Sequence, residues 1–183
     1  MKYTTKDIVT VVVIAVVFGI IGAGWGYVWN LAFAVPVIGG AFASVISFIW
    51  FIAPLVSFYL IRKPGVALFT QLLAGIIAIL AGHPAGVVVY GWYVLEAVGS
   101  EIGFAVFRYK RWDLPAMLLA AELQAFEYAW GLVYFQVYNY GFAAWFWPWV
   151  AMFATAWLAG PIGLTIAKAL MRTNLFSVEA AES

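Results

Sequence analysis

Cysteine is absent from this sequence of 183 residues, histidine occurs once, and charged residues are scarce. The absence of cysteine excludes disulfide bonds, iron–sulfur clusters and thiolate metal sites. Only 9% of the residues are Asp, Glu, Lys or Arg, against about 25% in an ordinary soluble domain. The composition therefore excludes a soluble globular protein, and the net charge of +1 gives no indication of nucleic-acid binding.

Several catalytic and metal-binding motifs are also missing. There is no Gly-x-x-x-x-Gly-Lys-[Ser/Thr] phosphate loop, so the chain cannot hydrolyse ATP through one. Neither Gly-x-Ser-x-Gly nor His-Glu-x-x-His occurs, and no His-x-x-x-His or Glu-x-x-His spacing exists. We therefore expect no metal, no cofactor and no enzymatic activity.

Apolar and aromatic residues are abundant instead, at 67% and 19% of the chain. The apolar residues form six continuous runs near the ~20 residues that span a bilayer as a helix, whereas a membrane barrel would show ~10-residue alternating strands. These runs lie at about 7–28, 37–61, 65–81, 87–107, 114–138 and 143–171. The sequence predicts an all-α integral membrane protein in which residues 1–183 form one domain of six transmembrane helices.

Basic residues predict the orientation of these helices. With six helices, all nine Lys and Arg residues fall at the two termini and in the second and fourth loops, which share one side of the membrane. The other three loops contain none. By the positive-inside rule, both termini are predicted to be cytoplasmic. An odd number of helices would place Lys168 and Arg172 outside, which favours six.

Four glutamates lie within the predicted spans: Glu96, Glu101, Glu122 and Glu127. A carboxylate in hydrocarbon is costly unless it is paired, protonated or facing a polar cavity, so such residues often contact a solute. Glu96 and Glu127 lie ~14–15 Å from the outer ends of the fourth and fifth helices, at ~1.5 Å per residue. Glu101 and Glu122 lie deeper, ~9–12 Å from the inner ends. The sequence therefore predicts two tiers of carboxylates on adjacent antiparallel helices.

Each glutamate of the upper tier has aromatic residues one or two helical turns toward the outer side. These residues are Trp92 and Tyr93 for Glu96, and Trp130 and Tyr134 for Glu127. Such walls suit a flat, cationic or protonatable heterocycle, because rings stack on Trp and Tyr, cations are attracted to ring faces, and carboxylates accept from amino groups. We predict that these six residues contact a substrate. The alternative is that the glutamates are protonated and hydrogen-bond between helices.

Three further polar residues have two interpretations each. Glu101 stands seven residues before Arg108 on one helical face, so it either contacts the substrate or pairs with that guanidinium. Gln71, in the middle of the third span, either bonds to a neighbouring helix or contacts the substrate. We include both as candidate substrate-binding residues. His83 falls in a Gly-Pro turn, where we expect an exposed loop residue.

Small residues form a stripe along the first helix. The stripe consists of Ala15, Gly19 and Ala23, with Gly22 and Gly26 beside it. Small residues at a spacing of four let another helix approach closely. We predict that a partner subunit docks here, and packing within the chain is the alternative.

The chain resembles the S components of energy-coupling factor (ECF) vitamin transporters, and more specifically the YkoE family. The resemblance rests on Arg62-Lys63-Pro64-Gly65, Gly99-Ser100-Glu101, Phe107-Arg108-Tyr109-Lys110-Arg111-Trp112, Glu127-Tyr128 and Ala159-Gly160-Pro161. In that family an acid often stands at the position of Gln71 and an amide at that of Glu96. This exchange suggests that the two positions are neighbours around one ligand.

The resemblance implies an S-component-like bundle in a bacterial or archaeal cytoplasmic membrane, which captures thiamine or its hydroxymethylpyrimidine precursor from outside. Transport would need a membrane T component and cytoplasmic ATPases as partners. One rival is a small proton- or ion-coupled carrier that uses the buried glutamates as a relay. The other is a membrane enzyme with a glutamate pair for acid–base catalysis.

Overall fold

The computed structural model describes residues 2–140 and 142–173, apart from the side chains of residues 127, 128, 130–140 and 142–145. Throughout this described part the regular structure is helical. The helices are α1 (Thr5–Phe33), α2 (Gly39–Ile46), α3 (Phe48–Ile61), α4 (Val66–Leu80), α5 (Val89–Val106), α6 (Leu114–Tyr140) and α7 (Phe142–Met171). Because only Ser47 separates α2 from α3, the seven helices make six segments. The predicted six-helix, all-α bundle is confirmed.

By length and apolar composition alone, three of the described segments could cross a membrane: Thr5–Phe33, Gly39–Ile61 and Phe146–Met171. The 29 residues of α1 extend ~43 Å at ~1.5 Å per residue, which exceeds the ~30 Å hydrocarbon core. The outer surface of α1 exposes large apolar side chains such as Val17 and Ile20. In a bilayer this surface contacts lipid tails or another membrane helix, since neither needs polar groups.

The N-terminus, the turn between α3 and α4, and the segment between α5 and α6 meet at one end of the bundle. Thr4 and Asp7 form a capping box that begins α1, and Asp7 also pairs with Lys63 at 2.5 Å. Arg62 ends α3 in a left-handed conformation (φ 56°), and its guanidinium lies 3.9 Å from the ring centroid of Trp112. We call residues 2–4, 62–65 and 107–113 the basic end. Its cytoplasmic orientation remains a prediction.

The middle of α3 carries a backbone carbonyl that its own helix cannot satisfy. Pro54 lies inside α3 and has no N–H to donate to the carbonyl of Trp50, four residues earlier. The side-chain amide of Gln71 in α4 donates to this oxygen instead, at 2.9 Å. A proline in one helix therefore fixes the position of a glutamine in another.

A threonine in α7 supports the interruption between α2 and α3. The hydroxyl of Thr155 donates at 2.7 Å to the carbonyl of Ser44 and lies 3.1 Å from that of Val45. These carbonyls lie in the last turn of α2, where the helical ladder ends and carbonyls lack intrahelical donors. The contact holds α7 against the break.

The small-residue stripe of α1 packs inside the chain, so we correct its predicted role as a docking surface. All five residues, Ala15, Gly19, Gly22, Ala23 and Gly26, are buried. A Cβ on Gly19 would lie 2.7 Å from the backbone oxygen of Ala74 in α4, and one on Gly22 would lie 2.9 Å from the indole nitrogen of Trp50. The backbones approach closely here because glycine lacks a side chain, and the stripe itself is covered by the neighbouring helices.

Candidate functional site

A cavity of about 80 Å³ lies near the end of the bundle opposite the basic end. It is formed where the last turns of α1 meet α3, the start of α5 and the turn that follows α4. Its walls include Gly26, Trp29, Trp50, His83, Trp92 and Tyr93. Four of these six residues are aromatic rings of Trp or Tyr, so the cavity offers flat apolar surfaces for stacking.

Two of the tryptophans are held in place by their indole N–H groups. Trp50 donates to the backbone carbonyl of Gly22 at 3.3 Å, and Trp29 donates to the hydroxyl of Ser47 at 3.2 Å. A buried indole N–H needs such a partner. Because these donors are used within the protein, the two tryptophans contribute ring surface to the cavity and not hydrogen bonds.

Directly inward from the cavity, Gln71 and Glu96 form a buried polar pair. The Nε2 of Gln71 lies 2.5 Å from a carboxyl oxygen of Glu96, and the two residues are 0% and 1% exposed. The amide nitrogen already donates to Trp50, and the Oε1 of Gln71 has no partner among the described residues. The structure thus brings together two predicted substrate-binding residues, and they present oxygen acceptors.

Tyr93 separates this pair from the cavity. It precedes Glu96 by three residues on α5, and its Cβ and ring would lie 2.8 Å from a Cβ on Gly75, one helical turn beyond Gln71 on α4. Tyr93 lines the cavity and is itself buried. A solute that reached the polar pair from the cavity would have to displace the ring of Tyr93. Trp92, the neighbouring predicted residue, also lines the cavity.

Glu101 lies at the basic end, away from the cavity, and we correct its assignment as a substrate ligand. Its carboxylate accepts from the backbone N–H groups of Gly65 at 2.5 Å and Leu68 at 3.1 Å. These amides lie at the start of α4, where helical N–H groups have no intrahelical partner and the helix dipole favours negative charge. Glu101 is therefore a cap for α4, and it does this in place of the predicted pairing with Arg108.

Tyr109 is a further neighbour of Glu101, besides the amides of Gly65 and Leu68. Burial, together with the adjacent carboxylate of Glu101, raises the pKa of the Tyr109 phenol to about 12. Glu122, the other glutamate of the lower tier, lies beside the side chain of Trp157 in α7. Both lower glutamates thus have partners within the protein.

Three predicted residues of α6 have side chains outside the described part of the structure. They are Glu127, Trp130 and Tyr134. Their assignment to the site remains a prediction. Among the described residues, no group of three or more His, Cys, Asp or Glu side chains is placed to hold a metal ion.

His83 was wrongly expected to be an exposed loop residue. Its side chain is only 8% exposed and lines the cavity beside Trp50, with 6.2 Å between the two ring centroids. Gly82 and Gly86 on either side adopt φ values of +85° and +56°, which allow the turn to fold back over the bundle. In the sequence, the two flanking glycines were the feature that could have indicated a turn folded back over the bundle. No sequence feature indicated that Trp50 lines the cavity, because its position there depends on helix packing.

The chain belongs to the family of ABC-type cobalt transport system permease components, whose pattern matches residues 6–127. It is therefore a membrane component of a transport system. It is also 28% identical to YkoE of Bacillus subtilis (strain 168), a provisionally assigned HMP/thiamine permease protein, over 96% of this chain and 88% of that protein.

A solved structure shows more specifically which class of transport protein the chain resembles. A crystal structure of an S-component of an ECF transporter matches with a TM-score of 0.88 and 26% identity, covering 96% of this chain and 89% of that one. The predicted resemblance is thereby confirmed, and the fold is that of an S component, the substrate-binding subunit. Because these relatives are transport proteins, the expectation that the chain is not an enzyme is also confirmed.

Proposed function

We propose that this chain captures thiamine or its hydroxymethylpyrimidine precursor at the cavity and delivers it to an ECF transport complex. The observation that carries the proposal is the buried Gln71–Glu96 pair directly beneath an aromatic cavity. The provisional name of the relative in Bacillus subtilis, an HMP/thiamine permease, supports this choice of ligand.

The chemistry of the pair suits an aminopyrimidine. The free Oε1 of Gln71 and the carboxyl group of Glu96 accept hydrogen bonds, and an exocyclic amino group supplies two N–H donors. The flat ring stacks on the tryptophan and tyrosine faces above. With whole thiamine, the positive thiazolium ring would also be attracted to those faces.

The size of the cavity indicates that binding needs local opening. Pockets for drug-sized ligands measure roughly 300–1,000 Å³, whereas this cavity measures about 80 Å³. Rotation of Tyr93 would join the cavity to the space around Gln71 and Glu96. We therefore infer that Tyr93 closes the inner half of the site in the structure described and moves when the substrate enters.

Calorimetry on the purified protein tests the proposal. Thiamine, hydroxymethylpyrimidine and Co²⁺ should be titrated separately, the last because the family description names cobalt. We expect one of the organic compounds to bind, and Glu96→Gln to weaken its binding by roughly 5- to 100-fold, since leaving a buried hydrogen-bonding group without its partner costs about 1–3 kcal/mol.

A matched variant controls for the loss of charge in the membrane. Glu122→Gln makes the same chemical change on α6, at a residue that does not line the cavity. We expect this variant to bind as the unaltered protein does. Equal affinity of the Glu96→Gln variant, or binding of Co²⁺ alone, would overturn the proposal.

The proposed partners follow from the S-component fold. We propose that a membrane T component and cytoplasmic ATPases complete the transporter in a bacterial or archaeal cytoplasmic membrane, with both termini of this chain inside. The buried stripe of α1 is not available to them. Other membrane-facing surfaces, such as the exposed face of α1, remain for that contact.

A further inference from the structure

His83 lines the cavity, and the proposed roles of Gln71 and Glu96 as hydrogen-bond acceptors do not account for its burial there. The turn that carries it is fixed by three hydrogen bonds: its own N–H donates to Ala78 at 3.0 Å, Gly86 donates to the His83 carbonyl at 2.8 Å, and the Tyr27 hydroxyl donates to Gly82 at 3.0 Å. The last of these ties the turn to α1. The backbone of the turn is thereby fixed, and the imidazole lies in the cavity wall with 8% of the residue exposed.

The hydrogen bonds of the imidazole define which nitrogen carries the proton. Nδ1 accepts from the backbone N–H of Ala85 at 3.1 Å, so this nitrogen is unprotonated. Burial lowers the pKa of His83, which favours the neutral ring. In a neutral imidazole with Nδ1 as acceptor, the proton lies on Nε2, and Nε2–H is a donor.

This donor has no partner among the described residues, although its residue is more than nine-tenths buried. Nε2 would lie only 2.7 Å from a Cβ on Gly26, a residue that also lines the cavity. The glycine therefore leaves the space into which the imidazole packs against α1, and both residues line the cavity. A buried donor without a partner is unfavourable, and it gains most when a ligand supplies an acceptor.

We propose that the Nε2–H of His83 donates a hydrogen bond to an acceptor atom of the substrate, either a ring nitrogen or a hydroxyl oxygen of an aromatic heterocycle. This inference rests on the proposed function, because it assigns a further binding residue to the same site. Gln71 and Glu96 accept at the inner side of Tyr93, and His83 donates at the outer side. The substrate class is then a flat ring with a donor on one edge and an acceptor on another.

His83 is the single histidine of the sequence, so protein labelled with ¹⁵N-histidine reports on this site alone. We expect the spectrum without ligand to show one protonated nitrogen, Nε2, and one acceptor nitrogen, Nδ1. Addition of thiamine or hydroxymethylpyrimidine should move the Nε2–H proton resonance downfield and leave Nδ1 an acceptor. A hydroxymethylpyrimidine analogue with methyl in place of hydroxymethyl distinguishes the two acceptors, because it keeps the ring nitrogens and lacks the hydroxyl oxygen.

Calorimetry with two variants gives an independent measurement. His83→Phe keeps an aromatic ring and removes the donor, and we expect roughly tenfold weaker binding, the effect of one hydrogen bond. His83→Gln restores an N–H donor on a flexible side chain and should recover part of the affinity. If the phenylalanine variant does not fold, the ¹⁵N spectrum of the unaltered protein decides by itself.

The two proposals fail in different ways. If the unaltered protein binds neither thiamine nor hydroxymethylpyrimidine, the proposed function is wrong. If it binds one of them while the histidine resonances stay unchanged and His83→Phe binds equally well, the function stands and the role of His83 is wrong. That second result would mean that the donor faces only water in the cavity.

Discussion

At the scale of single residues, the buried polar groups of this protein divide by what satisfies them. Glu101 accepts hydrogen bonds from inside the protein, whereas Gln71, Gln124 and His83 each retain one buried polar atom without a partner in the described part. Buried polar groups that are hydrogen-bonded within the protein hold helices together. A buried polar group without a partner beside a cavity is a candidate for binding a ligand. Glu101 lies at the basic end of the bundle, whereas His83 lines the cavity at the opposite end.

Loss of the Glu101 cap should reduce stability without affecting the cavity. Glu101→Ala removes two hydrogen bonds to the start of α4, and caps of this kind contribute about 0.5–2 kcal/mol. We expect a lower midpoint of thermal unfolding in detergent and unchanged substrate affinity. Asp113→Asn, at an exposed carboxylate that pairs with Arg111, is the control and should leave the midpoint almost unchanged.

Tyr109 should make stability depend on pH in the alkaline range. Its pKa is about 12 in the folded protein and about 10 when unfolded, so the folded state favours the neutral phenol. The contribution is complete below pH ~10 and is lost as pH rises from ~10 toward ~12. We expect Tyr109→Phe to lose less stability than the unaltered protein over this interval, as followed by chemical denaturation. Parallel pH profiles for the two proteins would contradict this assignment.

At the scale of helices, close backbone approach decides which segments pair. Gly19 in α1 faces the backbone of α4, and Gly99 in α5 faces that of α6, where a Cβ would lie 2.5 Å from the carbonyl of Leu123. Between membrane helices the main attractions are van der Waals packing and hydrogen bonds, so small residues at the contact are decisive. The stripe of α1 is thus an internal packing element of the bundle.

Two glycine substitutions on α1 test this role. Gly19→Ala would place a methyl group 2.7 Å from the Ala74 oxygen and from Ile77, and we expect a loss of about 1–3 kcal/mol from overpacking. Gly24→Ala meets nothing within 4 Å, and it should be neutral or stabilise by about 0.5–1 kcal/mol through the higher helix propensity of alanine. Thermal unfolding of both variants in detergent measures the difference. Equal losses would mean that α1 and α4 do not pack as described.

At the scale of the whole molecule, the bundle separates a basic end from an aromatic end. The ion pair between Asp7 and Lys63 and the contact of Arg62 with Trp112 lie at the first. The cavity lies at the second. A vitamin-capturing subunit needs its cavity to face the side from which substrate arrives, and the positive-inside rule predicts that the basic end faces the cytoplasm.

The absence of cysteine makes this orientation directly measurable. Lys110→Cys places a thiol at the basic end, and Val87→Cys places one at the far end; both positions are exposed. We expect a membrane-impermeant maleimide to label only the Val87→Cys variant in intact cells, and both variants after the membrane is permeabilised. Labelling of only the Lys110→Cys variant in intact cells would reverse the predicted topology.

Transport should require partner subunits. Reconstituted alone in liposomes, the chain should bind its substrate but not accumulate it, with or without a pH gradient, because an S component captures the solute and ATPases supply the energy. Accumulation driven by a pH gradient without ATPases would instead support the rival carrier that uses the glutamates as a relay. Liposomes without protein provide the baseline for this measurement.

The sequence alone determined that this protein is a six-helix membrane bundle, because composition and the lengths of apolar runs are local properties that a bilayer selects directly. It also marked Glu96, Trp92 and Tyr93, since their spacing on one helix is fixed by helical geometry. The family resemblance indicated that Gln71 and Glu96 are neighbours, and the structure shows their contact. Only the tertiary structure decided that His83 and Trp50 enter the cavity and that Glu101 caps α4. Those contacts join different helices, and their register depends on packing, which no spacing along the chain encodes.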